Sequence, residues 1–146
     1  MKIALACAVT VLVTGCAGGV RLLPVQGPLA AKASPPRLSV VNTPPTFTVT
    51  LEDGEVCNGD GSDYRVGTVS ESPLAGEWDT VYGRGFFVDH VLGKSVRRTL
   101  LTCKLGATVL VENGQITPEA KASPLGIGVA KDSRGNVFKL TLETSR

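Results

Sequence analysis

The stretch Gly126-Ile127-Gly128-Val129-Ala130-Lys131-Asp132-Ser133-Arg134-Gly135-Asn136-Val137-Phe138-Lys139-Leu140-Thr141-Leu142 decides the fold class. Two runs of strand-forming residues flank a polar turn at 131–136. In the second run Val137, Lys139 and Thr141 alternate with Phe138, Leu140 and Leu142. A period of two belongs to a strand with one buried and one wet face. The reading is an antiparallel hairpin.

The same grammar extends toward the N-terminus. Thr99-Leu100-Leu101-Thr102-Cys103 and Ala107-Thr108-Val109-Leu110-Val111 read as strands around Lys104-Leu105-Gly106. Asn113-Gly114 is a hairpin signal, with Gln115-Ile116 leading out of it and a looser loop from Thr117 to Pro124. Thr46-Phe47-Thr48-Val49-Thr50-Leu51 places Phe47, Val49 and Leu51 on one face. Asp53-Gly54 then turns the chain into Glu55-Val56-Cys57. About six or seven such strands predict an all-β domain over 46–146, a small sandwich or an open barrel of short antiparallel strands.

Between these hairpins lies the chemically densest segment, Leu74 to Gly93. It holds Trp78, Tyr82, Phe86 and Phe87, four of the seven aromatics. The spacing of four aligns Trp78, Tyr82 and Phe86 along a helix face. Gly83 and Gly85 argue against one continuous helix. The expectation is a short helical turn followed by an extended piece from Phe86 to Val91. Two roles stay open for the four aromatics: a partner-binding patch, since Trp and Tyr are enriched at hot spots, or core filling.

The first sixteen residues, MKIALACAVTVLVTGC, address the chain. Lys2 supplies a positive start, and Ile3 to Val13 form an apolar core too short to span a bilayer. Val13-Thr14-Gly15-Cys16 fills all four positions of the lipobox, so the region resembles a bacterial lipoprotein signal. The resemblance implies a signal peptide at 1–15 and acyl chains on Cys16. Two or more chains anchor stably where one would not. Ala17, where an Asp would imply retention at the inner membrane, implies the outer membrane, with the periplasmic face favoured over the cell surface. Residues 16–45 carry Pro24, Pro28, Pro35, Pro36, Pro44 and Pro45 and read as a tether. Within it, Pro24 to Leu29 is apolar enough to dock on the domain, and Arg37 to Val41 suits a short edge strand.

With Cys7 in the signal and Cys16 lipidated, Cys57 and Cys103 remain, and the expectation for an oxidising compartment is a disulfide. Two cysteines far apart with one histidine match no zinc spacing, so no metal site is read. Asn58, Asp60 and Ser62 invite a calcium-loop reading, but Asp63 and Val69 stand where an EF-hand needs Gly and Glu. Gly93-Lys94-Ser95 ends like a phosphate-binding loop, yet Val88 occupies the required glycine position. No cofactor signature occurs.

Fifteen Lys and Arg against thirteen Asp and Glu give no basic excess for a nucleic-acid partner. Catalysis has little to work with. The single histidine, His90, follows Asp89, and neighbours on an extended segment point apart. Asp53, Glu55, Asp60 and Asp63 fall in turns that account for them. The expectation is a chain that is not an enzyme. Trp78-Asp79-Thr80-Val81-Tyr82-Gly83, His90-Val91-Leu92-Gly93 and Gly128-Val129-Ala130-Lys131-Asp132 resemble small proteobacterial lipoproteins without assigned activity. That resemblance implies an envelope location and the same fold class. The membrane, through the lipid, is then one partner. Another envelope protein or peptidoglycan is the other, in a binding or assembly role or a structural one.

Overall fold

The computed structural model describes residues 20–31, 37–42, 45–51, 53–59, 64–122 and 126–142. Among these residues nine strands carry the fold: β1 Val20–Gln26, β2 Arg37–Asn42, β3 Pro45–Thr50, β4 Val56–Gly59, β5 Tyr64–Thr68, β6 Ser95–Cys103, β7 Thr108–Gly114, β8 Ile127–Asp132 and β9 Val137–Leu142. They form one antiparallel sheet in the order β4-β3-β2-β1-β9-β8-β7-β6-β5. The sheet curls until β4, near one end of that order, also pairs with β6 near the other. The result is an open barrel, all-β as its alternating sequence demands.

Alternation sorts the side chains onto two faces. Val109 and Val111 of β7, Ala130 of β8, Phe138 and Leu140 of β9 and Leu101 of β6 point inward. They meet Leu22, Phe47, Val49 and Leu51 in the main core. Val96, Leu110, Ile127 and Val129 lie on the outer face of the same strands and form a second cluster. A helix, α1 (Ala75–Tyr82), and a π-helical turn (Phe87–Val91) cover that outer face. Among the described residues no helix is long and apolar enough to cross a membrane.

Five features depart from the sequence reading. The sheet does not begin at Thr46, because part of the expected tether is sheet. β1 pairs with β9 from Val20↔Leu142 to Gln26↔Val137, and Leu22 is fully buried. Pro24 fits because, among the described residues, β1 pairs with β2 only at Val20↔Leu38 and Arg21↔Arg37, and the β9 ladder bulges between Pro24 and Gln26. A proline is tolerated at such a position. The apolar stretch after it docks: Gly27 turns with φ 97°, and Leu29 N–H donates to Asn136 Oδ1 at 2.8 Å. β2 pairs along its whole length with β3 and is an interior strand, where an edge strand was expected.

Asn113-Gly114 makes no hairpin turn. Asn113 pairs with Arg97 and with Gly128, so β7 runs straight through and the ladders on both sides override the local turn preference. The segment from Phe87 to Val91 is a π-helical turn instead of an extended piece. Gly83 ends α1 with φ 111°, and the Asp79 carboxylate then accepts the N–H groups of Gly85 and Phe87, which starts the next turn. Finally, β5 is a strand that the sequence reading did not identify. The lipobox with Cys16, and Asp60, Ser62 and Asp63 of the calcium-loop reading, lie outside the described residues.

Candidate functional site

The disulfide is formed. Cys57 and Cys103 are register partners on β4 and β6, where the curled sheet meets itself. Their Cα atoms are 3.8 Å apart, closer than the usual range for bridged cysteines.

Beneath α1, the outer face of β7 holds a buried carboxylate. Glu112 has no solvent exposure. Its oxygens accept the Trp78 indole N–H at 3.0 Å and Arg98 Nε–H at 2.7 Å, and the Ser72 hydroxyl lies 2.7–2.8 Å from both. Ser72 Oγ in turn accepts the N–H of Leu74 at the start of α1. Burying a charge unpaired is costly, so this set of donors is what permits Glu112 beneath the helix.

The aromatics stack along the covering segment. Trp78 and Tyr82 ring centroids are 5.5 Å apart, Tyr82 and Phe86 4.8 Å, and Phe86 and His90 4.6 Å. The spacing of four survives the glycine break because Asp79 holds the second turn in line with the first. Trp78 is fully buried and Phe87 is 8% exposed, while Tyr82 and Phe86 are half-buried. Trp78 and Phe87 thus belong to the second core cluster, and Tyr82 and Phe86 pack against it. Each buried ring removes a large apolar area from water, which outweighs any preference for a free surface.

Tyr82 also has a polar task. The β8–β9 ladder ends at Val129↔Lys139, and the Tyr82 hydroxyl takes over at Gly128. It donates to Gly128 C=O at 3.0 Å and accepts Gly128 N–H at 3.2 Å. Burial pushes the phenol up to about 12, with the bond to the Gly128 carbonyl working in the other direction. Lys139 Nζ sits 5.1 Å from the ring centre.

The turn acids converge on one guanidinium. Arg134, in the β8–β9 turn, donates to Asp53 at 2.6 Å and to the buried Glu55, whose other oxygen accepts Leu105 N–H at 2.7 Å. Three loops at one end of the barrel are joined this way. The Glu55 backbone N–H, then Arg134, hold the Asp53 carboxyl below its ordinary value. His90 and Asp89 are both exposed on the π-helical turn, and Asn58 accepts the Thr48 hydroxyl. Among the described residues no three His, Cys, Asp or Glu side chains gather as a metal would need.

An edge of the sheet lies at β5. β5 ends the strand order, and among the described residues it pairs only with β6. Arg65, Val66, Gly67 and Thr68 are all exposed. A recess of about 280 Å³ is lined by Arg65 and Arg98, with Glu71 at its wall. A second, of about 430 Å³, is lined by Lys94, Arg97 and Lys121. Val66 borders both. The sequence holds a weak signal for this edge: Tyr64-Arg65-Val66-Gly67-Thr68 alternates, but one valine among polar residues cannot be told from a loop.

No family model, curated protein or solved structure matches the chain.

Proposed function

We propose that the chain is a lipid-anchored protein of the cell envelope, akin to the small proteobacterial lipoproteins it resembles. It serves there as a non-catalytic binding or assembly module at the outer membrane. One observation carries the reading: Val13-Thr14-Gly15-Cys16 closes an apolar run preceded by a single lysine, the arrangement that directs lipidation of a cysteine. The Cys57–Cys103 bridge supports it, since structural disulfides persist in oxidising compartments such as the periplasm. In this reading the binding surface is the sheet edge at β5, which is supported by the full burial of Trp78 and by the place of β5 at the end of the strand order.

The test is metabolic labelling with an alkyne-tagged fatty acid, followed by membrane fractionation. Wild type takes the label and sediments with outer membranes. Cys16→Ala takes none and is released, or accumulates as uncleaved precursor. An unlabelled wild type that fractionates like the variant overturns the proposal. Crosslinking in intact cells, with the full chain as bait, then identifies the partner. Co-sedimentation with purified cell wall and no protein crosslink would favour a structural role against peptidoglycan.

A further inference from the structure

We propose that the outer edge of β5 accepts an extended acidic peptide as an added strand. The inference rests on the binding-module reading above and supplies its ligand class. Three observations meet at this edge.

The first is backbone. In a strand, N–H and C=O groups point alternately to the two sides, and β6 satisfies one side only. The other side of Tyr64–Thr68 presents a row of donors and acceptors, which is what an incoming strand pairs with. The second is shape. A strand laid beside β5 sends alternate side chains to opposite faces of the sheet. One recess lies on each face, with Arg98 and Arg97 as successive residues of β6 marking the two sides. Side chains at every other position of an added peptide would enter one recess, and the intervening ones the other.

The third is charge. Arg65 stands directly across from Arg98, a like-charge pair that is unfavourable between strands unless an anion offsets it. Glu112, the register partner of Arg98 on β7, engages Arg98 from the side away from β5. Among the described residues that line the two recesses, Arg65, Lys94 and Lys121 are exposed cations, and Glu71 is the carboxylate. Glutamate or aspartate side chains on an added strand complement them, with an apolar residue for the exposed Val66. A second copy of the chain fits poorly, because β5 against β5 would set these cations against their own kind.

The experiment is fluorescence anisotropy on the full chain, with a fluorescein-labelled nonapeptide alternating glutamate and valine. A second peptide of the same sequence carries N-methyl groups on alternate amides, which removes strand pairing and keeps charge. Saturable binding of the parent peptide is expected, weakened about tenfold or more by N-methylation, since several hydrogen bonds are lost together. Arg65→Glu should weaken the parent peptide by a comparable factor. Equal affinity for both peptides, or no saturable binding, overturns the proposal. The second result would mean that the cations only guard the edge. Sedimentation showing a dimer that Arg65→Glu tightens overturns it in favour of self-pairing. The N-methyl comparison uses wild type alone, so a poorly folded variant leaves the test intact. Binding read this way does not depend on anchoring, so its failure is distinct from failure of the lipidation test.

Discussion

Glu112 and Trp78 meet at 3.0 Å, carboxylate to indole N–H, with neither side chain reached by solvent. One sits on the outer face of β7 and the other on α1. Their bond therefore fixes how the helical cover lies on the barrel.

Removing the acid should be more damaging than removing one donor. Glu112→Ala leaves the indole N–H, the Ser72 hydroxyl and part of the half-buried Arg98 guanidinium without an acceptor, and each buried donor left unpaired costs about 1–3 kcal/mol. Trp78→Phe keeps a stacked ring but deletes one donor, for a loss of about 1–3 kcal/mol. Urea unfolding of both variants checks the order. Equal losses would mean that packing, and not the carboxylate, dominates here.

The Cys57–Cys103 bridge joins residues 46 apart in sequence, and a loop of that length corresponds to about 4 kcal/mol in the chain-entropy model. Cys57→Ser and Cys103→Ser should each lower stability by a few kcal/mol. The double variant should lose little more than either, because both single changes delete the same bond. Intact mass before and after reduction with alkylation checks that the bond is present.

Truncation should be harmful. A chain beginning at Pro44 lacks β1 and β2, which stand between β3 and β9 in the sheet. It should lose its cooperative unfolding transition. Within the full chain, Leu22→Ala should cost about 2–5 kcal/mol, as for other buried leucines. Gly27→Ala should also destabilise, since its φ is 97° and a Cβ there would lie 2.7 Å from the Asn136 Cα. Thermal melts of the three separate a folded core from a dispensable tail.

Stability should fall at both ends of the pH range. Tyr82 titrates at about 12 when folded, above an ordinary tyrosine near 10. Its contribution is complete below about pH 10 and is lost as pH rises toward about 12. At the acid end, the Phe87 and Gly85 N–H groups hold the Asp79 carboxyl below its ordinary value of 3.8, and Asp53 is lowered likewise. Both stabilise the fold above that value, and the effect fades as pH drops through their lowered folded values. Tyrosinate absorbance and circular dichroism followed together should show Tyr82 ionising with unfolding in base. Tyr82→Phe should flatten the basic limb.

The hairpins of β3–β4, β6–β7 and β8–β9 were legible from the chain because each combines period-two alternation with a turn whose glycine takes positive φ. Gly54, Gly106 and Gly135 are the three. The pairing of Cys57 with Cys103 was legible from their number and the expected compartment. Local signals went no further. Pro24 reads as a strand breaker until the bulged ladder with β9 accommodates it. Asn113-Gly114 reads as a turn until ladders on both sides hold it straight. Trp78, Tyr82 and Phe86 have one spacing whether they face a partner or the barrel. Only the outer face of β7 and β8 decided that they turn inward, since it leaves an apolar surface there to be covered. Alternation is a property of neighbouring residues and can be read along the chain. The burial of Glu112 and the open edge of β5 depend on which strands end up adjacent, and that was settled by the curl of the whole sheet.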